Sequence, residues 1–137
     1  MKKSAIFASN TSTISINELN KFSSSPENFI GIQFFSPVDR MELVEIIKTK
    51  KTSVETLSCV FDFIRKINKT PIIVNDSPGF YTTRVFEKYT CEGLALLYEG
   101  YPAHLIESTS KNVGFPICLL YTSPSPRDQR GSRMPSW

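Results

Sequence analysis

The first 75 residues contain short apolar runs of the length expected for buried strands. These runs lie at residues 4–8, 29–35, 41–48 and 71–74, and polar or turn-forming residues bound each of them. Apolar runs of four to eight residues between turn signals are typical of strands that face a core. The pattern therefore predicts four strands in this part of the chain.

Helical signals separate these runs. Ser15 and Glu18 have the spacing of a capping box and predict a short helix through about Phe22. Thr52 and Glu55 have the same spacing and predict a second helix, whose core-facing residues recur at helical period: Val54, Leu57, Val60, Phe61, Phe63, Ile64 and Ile67. Strands that alternate with helices indicate βαβ units, so we predict an α/β fold with a mainly parallel sheet.

The pattern changes after the turn signal at residues 76–79, Asp-Ser-Pro-Gly. Residues 80–99 have the apolar spacing of one long helix, and Pro102 opens another that ends near Gly114. We therefore predict a domain boundary at residues 75–79. Residues 1–76 would form an α/β domain, and residues 77–117 would begin an all-helical one.

Composition and charge exclude several classes of protein. Hydrophobic residues make up 40% of the chain and charged residues 21%, which is normal for a globular protein. We expect no membrane span, since no apolar run approaches the roughly 18 residues that a span needs, and no nucleic-acid partner, since the body of the chain has no basic patch. The short apolar start, residues 5–8, does not suit a signal peptide, so we expect a cytoplasmic or organelle-matrix protein.

The cysteines indicate neither a disulfide framework nor a metal site. Cys59, Cys91 and Cys118 are odd in number and far apart, and His104 is the single histidine. We expect no metal, and we predict a solvated helix position for His104. Cys59 lies within the apolar stretch of the second predicted helix, so we predict that it is a buried, unreactive thiol.

Several segments in order resemble the 3-hydroxyacyl-CoA dehydrogenases, especially those fused to enoyl-CoA hydratase in fatty-acid oxidation complexes. The segments are Ser-Asn-Thr-Ser at 9–12, Phe-Ile-Gly-Ile-Gln-Phe-Phe-Ser-Pro-Val at 29–38, Met-Glu-Leu-Val-Glu-Ile-Ile at 41–47, Asp-Ser-Pro-Gly-Phe-Tyr-Thr-Thr-Arg at 76–84 and Gly-Phe-Pro at 114–116. Each segment alone is a weak signal, but their order and spacing match over residues 4–117.

The resemblance implies a fold, a cofactor and partners. Residues 1–76 would be the C-terminal half of a Rossmann-type NAD-binding domain, and residues 77–117 would begin the helical domain that completes the substrate site. The first βα unit of such a domain carries a Gly-x-Gly-x-x-Gly loop, which the 137 residues do not contain. The implied cofactor is NAD and the implied substrate an acyl-CoA. The implied assembly is a homodimer or a complex with a thiolase subunit.

The family reaction oxidises the 3-hydroxyl of an acyl-CoA to a ketone, with a histidine as base and a glutamate that orients it. Gln33 stands at the position of that histidine, and Glu45 matches the glutamate. A glutamine amide can donate and accept hydrogen bonds but cannot store a proton near neutral pH. The resemblance thus implies a catalytic pair, Gln33 and Glu45, in which the base is replaced and the activity weakened.

Three hydroxyl residues complete the implied site. Ser12 matches a serine that contacts both the cofactor and the substrate oxygen. Ser36 stands where many members have an asparagine on the nicotinamide side, and Thr83 where many have an asparagine that touches the substrate. From its own surroundings, Ser12 could instead be a turn residue that bonds its own backbone. Ser36 and Thr83 still offer hydroxyls in place of the asparagine amides.

The last stretch, residues 118–137, differs from the rest. Residues 118–128 resemble the translation of a transposase-type sequencing adapter, and residues 129–137 lack hydrophobic periodicity. We expect an artefactual or disordered tail here.

Two other functions remain open at this point. A non-catalytic relative would use the same fold to bind or scaffold acyl-CoA, with Gln33 as the mark of a lost activity. A hydroxyacid or sugar-acid dehydrogenase would usually rely on a lysine near the domain junction, and residues 76–84 contain none.

Overall fold

The computed structural model describes residues 5–115, and it has the alternating strands and helices that the sequence predicts. The strands are β1 (Phe7–Ser9), β2 (Phe29–Phe34), β3 (Leu43–Lys48) and β4 (Thr70–Asn75). The helices are α1 (Ile16–Asn20), α2 (Val54–Lys66), α3 (Thr82–Tyr98) and α4 (Ala103–Asn112), with a 3-10 turn at Pro26–Asn28. The predicted tail, residues 118–137, lies outside the described residues.

The four strands form one sheet in the order β1-β2-β3-β4. The β1–β2 and β3–β4 pairs are parallel, whereas β2 and β3 are antiparallel. The connection between β2 and β3, residues 35–42, is shorter than the dozen or so residues that a parallel crossover needs. The α/β prediction is confirmed, but the sheet is mixed because this one connection carries no helix.

The sheet has an apolar core on each face, because side chains alternate between faces along a strand. On one face α2 covers a cluster formed by Ile30, Ile32, Val44, Ile46, Val60 and Ile64. On the other face α1 and Phe80 close a second cluster that contains Ile16, Phe29 and Ile47. The second face is the one that carries Gln33 and Glu45.

Helix caps decide where α1 and α2 begin. Ser15 caps α1 as predicted, and its Oγ accepts a hydrogen bond from the Glu18 N–H at 3.3 Å. The prediction that Thr52 caps α2 is wrong, since Ser53 is the cap and accepts from the Thr56 N–H at 3.1 Å. Thr52 instead donates from Oγ1 to the Phe29 carbonyl at 2.9 Å, which ties the loop to β2.

The prediction of a buried Cys59 is also wrong. The buried positions of α2 are Thr56, Val60 and Ile64, spaced by four residues. Cys59 lies outside this buried stripe and is exposed, as is Cys91 on α3. The apolar stretch of α2 is wider than the face that contacts the sheet, because Val54 and Phe63 are exposed as well.

The chain separates into two compact units between Arg84 and Val85, shortly after the predicted boundary at 75–79. In the second unit, α3 and α4 contact each other through a hydrogen bond between the hydroxyls of Tyr89 and Ser110. The Phe115 ring stacks on Tyr89 with 4.4 Å between centroids, and His104 is exposed on α4. Within residues 5–115, no helix combines the length and apolarity that crossing a membrane requires.

Candidate functional site

The two residues predicted to form the catalytic pair are direct neighbours across the β2–β3 pair. Gln33 and Glu45 are register partners. Opposed residues of an antiparallel pair point to the same face, with Cβ atoms about 4.5–5.5 Å apart. The structure thus brings the two side chains together on one face of the sheet, as strand adjacency predicts.

Glu45 is fully buried, and one of its oxygens holds the start of α3. Its Oε1 accepts hydrogen bonds from the Tyr81 N–H at 3.1 Å, the Thr82 N–H at 2.7 Å and the Thr82 hydroxyl at 3.0 Å. The first N–H groups of a helix lack partners within the helix and carry the positive end of its dipole. A buried carboxylate at this position is therefore stabilised without any histidine. Sequence reasoning missed this contact.

Two buried oxygens of the pair have no hydrogen-bond partner. They are Oε1 of Gln33, a residue that is 6% exposed, and Oε2 of Glu45. Within the described residues no hydrogen bond joins the two side chains. Both atoms are hydrogen-bond acceptors, so neither can donate a hydrogen bond to the other. The predicted catalytic pair therefore contains unmet hydrogen-bonding capacity.

The turn after β4 positions the start of α3 next to Glu45. Gly79 has a φ of +70°, which favours glycine, and the Phe80 N–H donates to the Ser77 carbonyl at 2.8 Å. The Phe80 side chain is buried in the second core cluster. Thr83 follows in the first turn of α3 and is half-buried. The predicted substrate residue therefore lies next in sequence to a residue bonded to Glu45.

Ser12 and Ser36 lie in loops that leave the same edge of the sheet. Ser12 is exposed in the bend after β1, and Ser36 is exposed after β2, where it precedes Pro37 through a cis peptide bond. Because β1 and β2 are parallel, their carboxyl ends meet at one edge, where open α/β sheets bind nucleotides. Neither serine bonds to Gln33 or Glu45 within the described part of the chain.

The loop around Ser12 is anchored on both sides. The Asn10 side-chain oxygen accepts from the Phe34 N–H at 3.2 Å, which joins the loop to the end of β2. Thr11 Oγ1 accepts from the Ile14 N–H at 3.0 Å. A side chain at the tip of such a loop is held in place by its neighbours, as a binding residue must be.

Asp76 anchors the far side of the same loop. Its carboxylate accepts from the Ser15 hydroxyl at 2.7 Å, the Ile16 N–H at 3.1 Å, the Asn17 N–H at 2.7 Å and the Asn17 side-chain amide at 2.5 Å. Burial alone would raise its pKa, but these hydrogen bonds outweigh burial and hold the pKa of Asp76 below its usual value. Sequence reasoning saw only a turn here, although an aspartate directly after a strand was a signal.

Comparison with known proteins identifies the family. The family described as "3-hydroxyacyl-CoA dehydrogenase, NAD binding domain" matches residues 1–77. The fatty acid oxidation complex subunit alpha of Shewanella oneidensis is 45% identical over 112 residues, which are 82% of this chain and 16% of that protein. The chain belongs to the 3-hydroxyacyl-CoA dehydrogenase family. The resemblance drawn from the sequence is thereby confirmed.

Solved structures of dehydrogenases share the fold. The (S)-3-hydroxybutyryl-CoA dehydrogenase PaaH1 of Ralstonia eutropha superimposes with a TM-score of 0.77 at 38% identity, over 84% of this chain and 41% of that one. The 3-hydroxybutyryl-CoA dehydrogenase of Escherichia coli K12 gives a TM-score of 0.77 at 30% identity, over 84% and 25%. The Rossmann-type fold predicted for the first part of the chain is confirmed.

Family membership identifies NAD as the cofactor, and two of the predicted cofactor residues follow the parallel strands β1 and β2. The Gly-x-Gly-x-x-Gly loop that would bind the pyrophosphate is not among the 137 residues. The anchored loop at Ser12 and the exposed Ser36 offer hydroxyls at the nucleotide-binding edge of the sheet. That Ser12 and Ser36 contact the nicotinamide side of NAD stays a prediction of the family resemblance.

Proposed function

We propose that the protein containing this chain is an NAD-dependent 3-hydroxyacyl-CoA dehydrogenase of fatty-acid β-oxidation, with an activity weakened by Gln33. The chain spans 16% of the length of the Shewanella relatives it matches, so the activity of the whole protein rests on family membership. The observation that carries the proposal is the pairing of position 33 with a fully buried Glu45.

The proposal gives each site residue a role. Ser12 and Ser36 bind the cofactor, and Ser12 and Thr83 bind the substrate. Glu45 positions the residue at position 33 and the start of α3 through its two oxygens. When bound, NAD supplies the acceptor for the hydride that leaves C3 of the substrate.

Gln33 determines the fate of the hydroxyl proton. Oxidation of the 3-hydroxyl releases that proton, and a positioned general base typically contributes about 10²–10⁴-fold to the rate. The Gln33 amide can accept a hydrogen bond from the hydroxyl but cannot take the proton. We therefore expect the proton to leave to solvent or to another group, and the rate to be low.

The proposal extends to substrate, assembly and location. The substrate is an acyl-CoA. The Shewanella relatives are named as the alpha subunit of a fatty acid oxidation complex, which supports assembly into a complex. We propose a thiolase subunit as the partner, with a homodimer as the alternative. We place the protein in the cytoplasm, or in the mitochondrial matrix or peroxisome of a eukaryote.

A second candidate function is supported by Gln33 itself. A non-catalytic relative would bind or scaffold acyl-CoA with the same site, and the loss of the base would carry no penalty. The unpartnered Gln33 oxygen favours this alternative, because it offers a hydrogen bond to a ligand without offering proton transfer.

One substitution separates the two functions. The full gene product and its Gln33→His variant are assayed for NADH formation from 3-hydroxybutyryl-CoA. We expect the variant to be about 10²-fold or more faster than the wild type, because it restores the base next to Glu45. Asp62→Asn, on the exposed surface of α2, is the matched control and should leave the rate unchanged.

Each outcome decides something. High activity in the variant over a low wild-type rate supports a weakened dehydrogenase. Wild-type activity equal to a fast variant would show that Gln33 is not at the base position. No activity in either protein, with acyl-CoA binding retained, would support the non-catalytic alternative.

A further inference from the structure

The buried hydrogen-bond acceptors at positions 33 and 45 are the starting point. Oε1 of Gln33 and Oε2 of Glu45 are both buried without partners, on residues that are register neighbours on one face of the sheet. A buried polar atom without a partner costs stability. Because the two residues are register partners, this cost is reduced if one side chain turns a donor toward the other.

Only Gln33 has a donor to offer. An ionised carboxylate accepts hydrogen bonds and donates none, whereas a glutamine amide has an acceptor oxygen and a nitrogen with two donors. Oε1 of Glu45 already accepts three hydrogen bonds from Tyr81 and Thr82. Its Oε2 is therefore the atom that remains for position 33. Rotation of the amide about its last side-chain torsion exchanges the oxygen and the nitrogen within the same volume.

We propose that Gln33 donates from Nε2 to Oε2 of Glu45 and presents Oε1 to the substrate as a fixed acceptor, so that the site selects 3-hydroxyacyl-CoA over 3-ketoacyl-CoA. The inference rests on the proposed function, since it assumes that an acyl-CoA binds here. Glu45 fixes the orientation, because the reverse would place two oxygens against each other.

The selectivity follows from the chemistry of C3. A hydroxyl at C3 can donate to Oε1 of Gln33, whereas a ketone oxygen can only accept and would face another acceptor. A histidine at this position has no such bias, because its ring nitrogen accepts from a hydroxyl when neutral and donates to a ketone when protonated. Gln33 would thus convert a site that serves both substrate and product into one that retains the alcohol.

The test is a pair of binding measurements. The full gene product is titrated calorimetrically with 3-hydroxybutyryl-CoA and with acetoacetyl-CoA, without NAD so that no turnover occurs. We expect the hydroxy ester to bind about ten-fold or more tightly than the keto ester, the effect of one hydrogen bond gained and one acceptor left unpaired. Gln33→Met, similar in size but without amide atoms, should bring the ratio close to one, and Gln33→His should reduce it.

Matched controls make the result specific. Asp62→Asn, on the exposed face of α2, should keep the wild-type ratio. Equal affinities for the two esters in the wild type, or a preference for the keto ester, would overturn the inference. NADH formation by Gln33→His would then still support the proposed function, so the two failures are distinguishable. If neither ester binds to the wild type or to any variant, both ideas are wrong.

A second measurement uses the wild type alone, so it does not depend on whether a variant folds. In ¹⁵N spectra of the wild type, the side-chain amide protons of Gln33 should exchange slowly with solvent, because Nε2 is turned inward to a buried carboxylate. Rapid exchange of both protons would contradict the proposed orientation.

Discussion

The two oxygens of the Glu45 carboxylate face different parts of the site. Its Oε1 takes three donors at the start of α3, and its Oε2 is left for position 33. A buried carboxylate needs such donors, because removal from water disfavours its charged form. Glu45 therefore has a structural role at the start of α3 that does not depend on which residue stands at position 33.

Glu45→Gln tests the structural task. The amide keeps the shape of the side chain but loses the charge that favours the N-terminus of α3. We expect the variant to lose about 1.5–3 kcal/mol of unfolding free energy, the range for a hydrogen bond to a charged group. The measurement is urea unfolding at pH 7, with exposed Glu42→Gln on the same stretch of chain as the control. Equal midpoints for wild type and Glu45→Gln would show that the charge is not needed.

Asp76 makes stability depend on pH. Its pKa is held below the usual value by the hydrogen bonds from Ser15, Ile16 and Asn17, so folding favours the ionised form. A carboxyl whose pKa is lower in the folded state stabilises the protein at pH values above its unfolded-state pKa of about 3.9. This stabilisation is lost as pH falls through the folded-state pKa. Asp76→Asn should cost about 1–2 kcal/mol at pH 7.

The pH profile separates this effect from a general loss of packing. The difference in stability between wild type and Asp76→Asn should shrink as pH falls from about 4 toward the lowered pKa of folded Asp76, because the unfolded state takes up the proton first. Denaturant unfolding between pH 3 and pH 7 measures it, with exposed Asp39→Asn as the control. A difference that is constant over this range would mean that the charge of Asp76 is unimportant.

At the scale of elements, Gly31 sets how closely α1 can approach the sheet. A Cβ built on Gly31 would lie 2.7 Å from Cγ1 of Ile16 and 2.9 Å from Cβ of Ile47. Ile16 can adjust its rotamer, but Cβ of Ile47 belongs to β3 and cannot move without the strand. The contact between α1 and the sheet therefore requires glycine at this position of β2.

Gly31→Ala should accordingly destabilise the protein by about 1–3 kcal/mol, the usual cost of overpacking a filled core. Ile16→Ala removes the nearest atoms, so the double variant should cost less than the sum of the two single variants. Urea unfolding of all four proteins measures the coupling. Additive costs would show that the strain does not arise between these two residues.

Local elements were predictable from the sequence, but the contacts between them were less so. The four strands and four helices lie close to their predicted ranges, because apolar periodicity and capping residues act locally. The capping residue of α2 was missed by one position, since Thr52 and Ser53 are both good caps and only the tie from Thr52 to Phe29 decides between them. The antiparallel β2–β3 pair depends on a connection whose shortness was visible in the sequence.

In the candidate site, too, positions on strands were predictable, whereas contacts between distant residues were not. The pairing of Gln33 with Glu45 could be anticipated because both lie on neighbouring strands. The bond between Ser15 and Asp76 joins residues 61 positions apart, and no local pattern encodes it. Cys59 was placed wrongly for the related reason that an apolar helix surface does not reveal which part of it meets the sheet.

At the scale of the whole molecule, the residues proposed for cofactor binding lie apart from the residue proposed to meet the substrate hydroxyl. Ser12 and Ser36 are exposed at the carboxyl ends of parallel strands, whereas Gln33 is buried within β2. Each of the two serines offers one hydroxyl, so we expect each to contribute a single hydrogen bond to NAD. Changes at Gln33 should affect the acyl-CoA rather than the cofactor.

NADH titration of the full gene product, followed by fluorescence, checks this separation. Ser12→Ala and Ser36→Ala should each weaken NADH binding by about 3- to 10-fold, the effect of one lost hydrogen bond of about 0.5–1.5 kcal/mol. Gln33→His should change the affinity for NADH by less than about two-fold while it raises the rate of oxidation, because its proposed partner is the substrate oxygen. Ser58→Ala, on the exposed side of α2, is the control for removal of a hydroxyl. If Gln33→His altered NADH affinity as strongly as Ser12→Ala, position 33 would contact the cofactor, and its assignment to the substrate oxygen would be wrong.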